Sequence, residues 1–101
     1  LNKGRWNNKQ IVPEAWIETS LTPKFVTGVS NFTYGHQWWA GSVEWQGREI
    51  PWHAGFGNGG QRLFVVPDLD LVVVTTAGAY DEDATAIRVN RLLREIVQTA
   101  R

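Results

Sequence analysis

The chain has 101 residues, 43% hydrophobic, 12% aromatic and 20% charged, with ten Lys plus Arg against ten Asp plus Glu. That composition is globular and the length suits one core rather than two; the balanced charge, with no one-signed run, offers no footprint for nucleic acid or anionic lipid. The lack of cysteine excludes disulfides and thiolate metal sites, and the longest apolar stretch, around Leu71–Val74, falls far short of the ~20 residues of a membrane-spanning helix.

Leu1-Asn2-Lys3-Gly4 reads as the tail of a helix whose body lies upstream. The chain is therefore expected to be soluble and cut from a longer protein, with any targeting segment outside it. Asn7-Asn8-Lys9 is a turn, and Pro13–Glu18 a short helix with proline in its first turn and an acid near its positive end. Thr22-Pro23 disfavours its continuation. From Tyr34 the pattern becomes that of strands: Tyr34–Ala40, Ser42–Gln46, Glu49–His53, Gln61–Val66 and Leu71–Thr76 are rich in aromatic and β-branched residues and separated by Gly, Pro and Asp. Gln46-Gly47-Arg48 and Pro67–Asp70 are short enough for hairpins, which makes the strands an antiparallel meander. After Gly78 the apolar period changes: Ala86, Val89, Leu92, Leu93, Ile96 and Val97 predict a long helix covering one sheet face, with Asp81 or Asp83 placed to cap it. Arg88, Arg91, Arg94, Glu95 and Arg101 form its solvated side. The fold class is α+β: about five antiparallel strands, a carboxy-terminal helix packed on them and a short amino-terminal helix, with residues 1–101 one part of a domain.

The run Gly55-Phe56-Gly57-Asn58-Gly59-Gly60-Gln61 formally matches G-x-G-x-x-G, and Asp81 lies about 20 residues on, as in a dinucleotide site. That motif must open a helix, whereas Arg62–Pro67 reads as strand. A kinase glycine loop does join antiparallel strands, but Leu71–Thr76 carries no lysine and no metal-handling motif exists. What remains for such glycines is close approach of substrate to the main chain, the requirement of an oxyanion-hole amide at a strand edge; a glycine bulge without chemistry is the plain structural alternative.

Three segments, Leu1–Trp16, Tyr34-Gly35-His36-Gln37-Trp38-Trp39 and Gly57–Pro67 with Asp70–Val74, together resemble, in order, the beta-lactamase-related, penicillin-recognising serine hydrolases. The likeness is strongest to the branch of class C beta-lactamases, esterases and 6-aminohexanoate-dimer hydrolases. It implies a bacterial enzyme, periplasmic or cytoplasmic, that cleaves amides or esters through an acyl-enzyme without a cofactor. The family's Ser-x-x-Lys is missing: Ser20, Ser30 and Ser42 are followed at the third position by Pro23, Thr33 and Trp45. Its Tyr-x-Asn element is missing too, since Tyr34 and Tyr80 lead to His36 and Glu82. Only the Lys-Thr-Gly slot has a candidate. The resemblance places Gly57 and Asn58 there, with the Asn58 N–H as oxyanion donor, and Gly59, Gly60, Gln61 and His53 at the substrate; a competing register puts His53-Ala54-Gly55 on the slot and makes the Phe56 amide the donor. The chain is thus expected to be a catalytically incomplete segment of a hydrolase.

Other readings are weaker. Trp38, Trp39, Trp45 and Trp52 invite a non-catalytic module binding carbohydrate or protein through aromatics, but adjacent residues on a strand face opposite ways, so core or cleft-wall packing is expected. His36 and His53 are too few for a metal site. Asn31-Phe32-Thr33 is a glycosylation acceptor in form alone. A cut sheet edge would expose apolar surface, so the isolated chain is expected to self-associate.

Overall fold

The computed structural model describes residues 1–101. Its architecture is α+β. A small hairpin, β1 (Arg5–Trp6) and β2 (Lys9–Gln10), leads into helix α1 (Glu14–Leu21). A six-stranded antiparallel sheet follows: β3 (Phe25–Val26), β4 (Thr33–Gly35), β5 (Trp38–Trp45), β6 (Arg48–Gly57), β7 (Gln61–Val66) and β8 (Leu71–Thr75), adjacent in space in the order of the sequence. Helix α2 (Asp83–Thr99) closes the fold.

Sequence and structure part in three places. There are six strands in the main sheet rather than about five, the sixth being the two-residue β3; Tyr34–Ala40 is a hairpin and not one strand, and its second half joins Ser42–Trp45 in β5. His36 and Gln37, at φ 49° and 66°, turn the chain between β4 and β5; two positive φ values in a two-residue loop make a type I′ turn, whose twist suits the flanking strands. Asn7-Asn8 and Gln46-Gly47 turn in the same way. The strand expected over Glu49–His53 runs on to Gly57, so half of the glycine run is strand. Gly4, at φ 83°, is in a turn, and its carbonyl accepts from the Ile11 and Val12 amides, tying the amino end to the β1–β2 hairpin. Neither Asp81 nor Asp83 caps α2, whose N-cap position is Glu82 without a side-chain bond; Asp83 is the first helical residue.

The registers sort every strand residue to one of two faces. Trp39, Gly41, Val43 and Trp45 share the first face with Ile50, Trp52, Ala54 and Phe56, then Arg62, Phe64 and Val66, then Leu71 and Val73. Helix α2 lies on that face, sinking Leu93 and Val97 among Val43, Ile50, Trp52, Phe64 and Val66 to make the core. The Trp45 indole N–H donates to the Ala100 carbonyl at 3.1 Å and pins the helix end. Gly41 is there for packing: a Cβ would come within 2.4 Å of the Trp52 ring. On the second face the chain leaving α1 crosses Gly35, which Thr22 and Lys24 press against, while Leu63, Val72 and Val74 beyond it stay exposed.

Candidate functional site

The direction of each main-chain amide in the glycine run follows from ladder parity. A type I′ turn closes β5–β6 on Trp45↔Arg48 as a hydrogen-bonded pair, and bonded and non-bonded pairs alternate from there. Val43↔Ile50, Gly41↔Trp52 and Trp39↔Ala54 are therefore the bonded pairs, and even-numbered residues of β6 face β5. Pro51, without an N–H, falls on a position turned away from β5, as that parity requires. The ladder stops at Trp39↔Ala54. Phe56 is the next residue turned to that side, and neither its N–H nor its C=O has a hydrogen-bond partner from a turn, a loop or a side chain. Its neighbours Gly55 and Gly57 pair instead with Leu63 and Gln61 on β7. A Cβ at Gly55 would meet nothing within 4 Å, so the second face is open beside the Phe56 amide.

A cleft of about 470 Å³ forms where β6 outruns β5, lined among others by Tyr34, Gln37, Trp39, Phe56, Arg62 and Thr75. The Phe56 ring stands between the Trp39 indole, stacked at 5.1 Å between centroids, and the Arg62 guanidinium, 4.1 Å from its centroid. Arg62 is only 8% exposed. Its Nη1 donates to the Gly57 and Gln61 carbonyls at 3.1 and 2.9 Å, clamping the residues that close the β6–β7 turn, while Nε has no acceptor. Burial pulls its pKa below the ordinary guanidinium value, though arginine stays a cation in proteins. No carboxylate lines this cleft, which makes Arg62 its one fixed charge.

The predicted site residues divide. Gly57 and Gln61 line this cleft, and the Gln61 amide is bonded at both ends to Ala77, its Nε2 donating to the carbonyl and its Oε1 accepting from the N–H. Asn58 is in the exposed turn, its side chain bound reciprocally to Asp81: Nδ2 donates to the carboxylate and Oδ1 accepts the Asp81 N–H, both at 3.0 Å. Gly59 and Gly60 are buried at φ 92° and 101°, where added Cβ atoms would strike Tyr80 and Thr85. Gly57 to Gly60 border a second cleft of about 390 Å³ carrying Asp81, Glu82 and Asp83. His53 is on the second face of β6 and lines neither cleft; its Nδ1 is buried without a partner. Burial, and then the amino-terminal charge, lower its pKa from the ordinary imidazole value.

Residue types alone did not single out Gln37 or Arg62, and Tyr34, which lines the cleft, was weighed only as the start of a Tyr-x-Asn element that His36 breaks. The signal that was available for Arg62 is its place on β7 opposite Phe56, an inward position on a strand otherwise apolar on that face. The tryptophans form no sugar platform: Trp39, Trp52, Phe32, Phe56 and Phe64 pack edge to face or stacked against one another, and Trp38 is on the opposite face from Trp39. No side chain in the main cleft pairs a nucleophile with a base: Ser20 donates to the Ile17 carbonyl and Ser30 to the Asn31 side chain, both away from it. Comparison with family models, with curated proteins and with solved structures returns no match to this chain.

Proposed function

We propose that the chain is the carboxy-terminal segment of a serine hydrolase of the beta-lactamase-related kind, acting on an amide or ester by acylation and deacylation. The observation that carries this reading is the unpartnered Phe56 N–H at the end of the β5–β6 ladder, open on the Gly55 side and facing a cleft. Such a donor needs no reorganisation when charge develops on a carbonyl oxygen, which is why preorganised amides lower acyl-transfer barriers. Ladder parity favours Phe56 over Asn58 as the donor and so favours the register in which His53-Ala54-Gly55 takes the Lys-Thr-Gly place.

In this mechanism a serine hydroxyl from the remainder of the protein adds to the substrate carbonyl, giving up its proton to a neighbouring base. The oxyanion accepts the Phe56 N–H, the amine or alcohol departs with a proton, and water then cleaves the acyl-serine. The present chain holds the edge amide, its glycine approach and the Arg62 clamp beneath it, but no nucleophile constellation.

Proline at position 56 deletes the N–H on the side where no ladder partner is lost. In a full-length protein containing this segment, Phe56→Pro is expected to lower kcat by roughly 10²–10³ with KM little changed, while this chain alone shows no saturable turnover of nitrocefin or a p-nitrophenyl ester. Wild-type kcat in the proline variant would remove Phe56 from the site, and turnover by the isolated chain would overturn its incompleteness.

A further inference from the structure

The chain contains one Asn-Gly pair, Asn58-Gly59, and it falls in the three-residue turn between the Gly57↔Gln61 partners of β6 and β7. Those two residue types in that order carry a reaction of their own. The main-chain nitrogen after an asparagine is within ring-closing reach of the side-chain carbonyl carbon, and a glycine there has no Cβ to hinder the approach. The Gly59 N–H donates to no carbonyl of the chain, so nothing ties up the nucleophile. The electrophile is tied. The Asn58 carboxamide is held at both ends by Asp81, Nδ2 donating to the carboxylate and Oδ1 accepting the Asp81 N–H. The segment before Asp81 is itself fastened to the turn: the Ala79 N–H donates to the Gly59 carbonyl at 3.3 Å, and the Gln61 amide bonds Ala77 through both its ends.

We propose that Asn58-Gly59 is a self-modification site, and that the bonds between Asn58 and Asp81 are the catch that keeps it unreacted. Ring closure requires the carboxamide to turn its face to the Gly59 nitrogen, and a group bonded at both ends cannot turn without giving up those bonds. Once it is free, the nitrogen adds to Cγ, the Cγ–Nδ2 bond breaks, and ammonia leaves with the proton from Gly59. Water then opens the succinimide at either carbonyl, leaving aspartate or isoaspartate at position 58. Every group the closure uses belongs to this chain, and the site is independent of the hydrolase reading. The change runs one way. An aspartate has no N–H to give Asp81 and sets a second carboxylate against it, in a cleft that already carries Glu82 and Asp83. An isoaspartate adds a main-chain atom to a turn where even a Cβ on Gly59 or Gly60 would lie 2.9 Å from Tyr80 or 2.8 Å from Thr85. Neither product can re-form the catch, so an opening of the turn beside Phe56 is recorded permanently.

Mass spectrometry of the tryptic peptide Glu49–Arg62, one dalton heavier after conversion, reads the reaction in a full-length protein containing this segment. Folded at pH 7.5, the wild type should convert at least ~10-fold more slowly than the same protein unfolded in urea. Asp81→Gly suits the φ of 60° at that position and removes the side-chain acceptor. Folded, it should convert about 10-fold faster than the wild type, the worth of one charge-assisted bond. Asp81→Asn keeps an acceptor oxygen and should restore slow conversion, and all three proteins should convert alike in urea. A folded wild type as fast as the unfolded one, an Asp81→Gly protein as slow as the wild type, or Asp81→Asn as fast as Asp81→Gly would each overturn the proposal. Should circular dichroism show Asp81→Gly unfolded, the wild type against its urea control and Asp81→Asn against the wild type decide in the same way.

Discussion

His53 stands on the second face of β6 with an imidazole nitrogen that finds no acceptor or donor. Burial favours its neutral form, so its folded pKa lies below the value of about 6.5 expected in the unfolded chain. The unfolded state then binds more protons through that interval: the stability due to neutral His53 is complete above about pH 6.5 and is lost as pH falls toward the folded pKa. Thermal melts at pH 7.5 and 5.5 should show a larger drop in Tm for the wild type than for His53→Gln, and equal drops would place the imidazole in solvent. At this scale the sequence was legible in its residue types and not in their directions. The Gly-Gly-Gln string points to Asn58, yet which amide faces outward depends on the parity of a ladder begun ten residues earlier at Gln46-Gly47.

Glycines that look alike in the sequence do different work in the elements that carry them. Gly47 turns β5 into β6 at φ 80° with nothing within 4 Å of a Cβ, whereas Gly60, at φ 101°, would drive a Cβ to 2.8 Å from Thr85 at the start of α2. Gly47→Ala is expected to cost about 1 kcal/mol through the left-handed backbone alone. Gly60→Ala should cost about 2–4 kcal/mol, since the overpacked contact adds to the same strain. Urea denaturation of both variants checks the ordering, and equal losses would mean that the β6–β7 turn yields freely. The turn at Asn7-Asn8 and the hairpin at Gln46-Gly47 were readable because Asn and Gly are usual at positive φ. The one at His36-Gln37 was hidden, because neither residue signals a turn, and so two strands were read as one.

For the whole molecule the meander and its covering helix followed from turn lengths and from the change of period after Gly78, both local signals. The state of the second sheet face did not, since strands such as Leu71–Thr75 are apolar on both sides and periodicity cannot say which side is covered. The core itself is one-sided and thin. Leu93 and Val97 are the buried apolar side chains that α2 brings to it, and Leu93→Ala is expected to cost about 2–5 kcal/mol, a large part of the ~5–15 kcal/mol typical of a domain. A urea midpoint unchanged by that substitution would show that the sheet stands without the helix.

That helix comes after every strand it covers. Because spatial neighbours are also sequence neighbours, the sheet can assemble hairpin by hairpin, with short loops to close and little entropy to overcome at each step. The aromatic side of the sheet nonetheless lacks the cover of Leu93 and Val97 until α2 is in place. A sheet formed before α2 would hold Trp52, Phe56 and Phe64 together and uncovered, so it is at that stage, rather than in the mature fold, that aggregation through this face is expected.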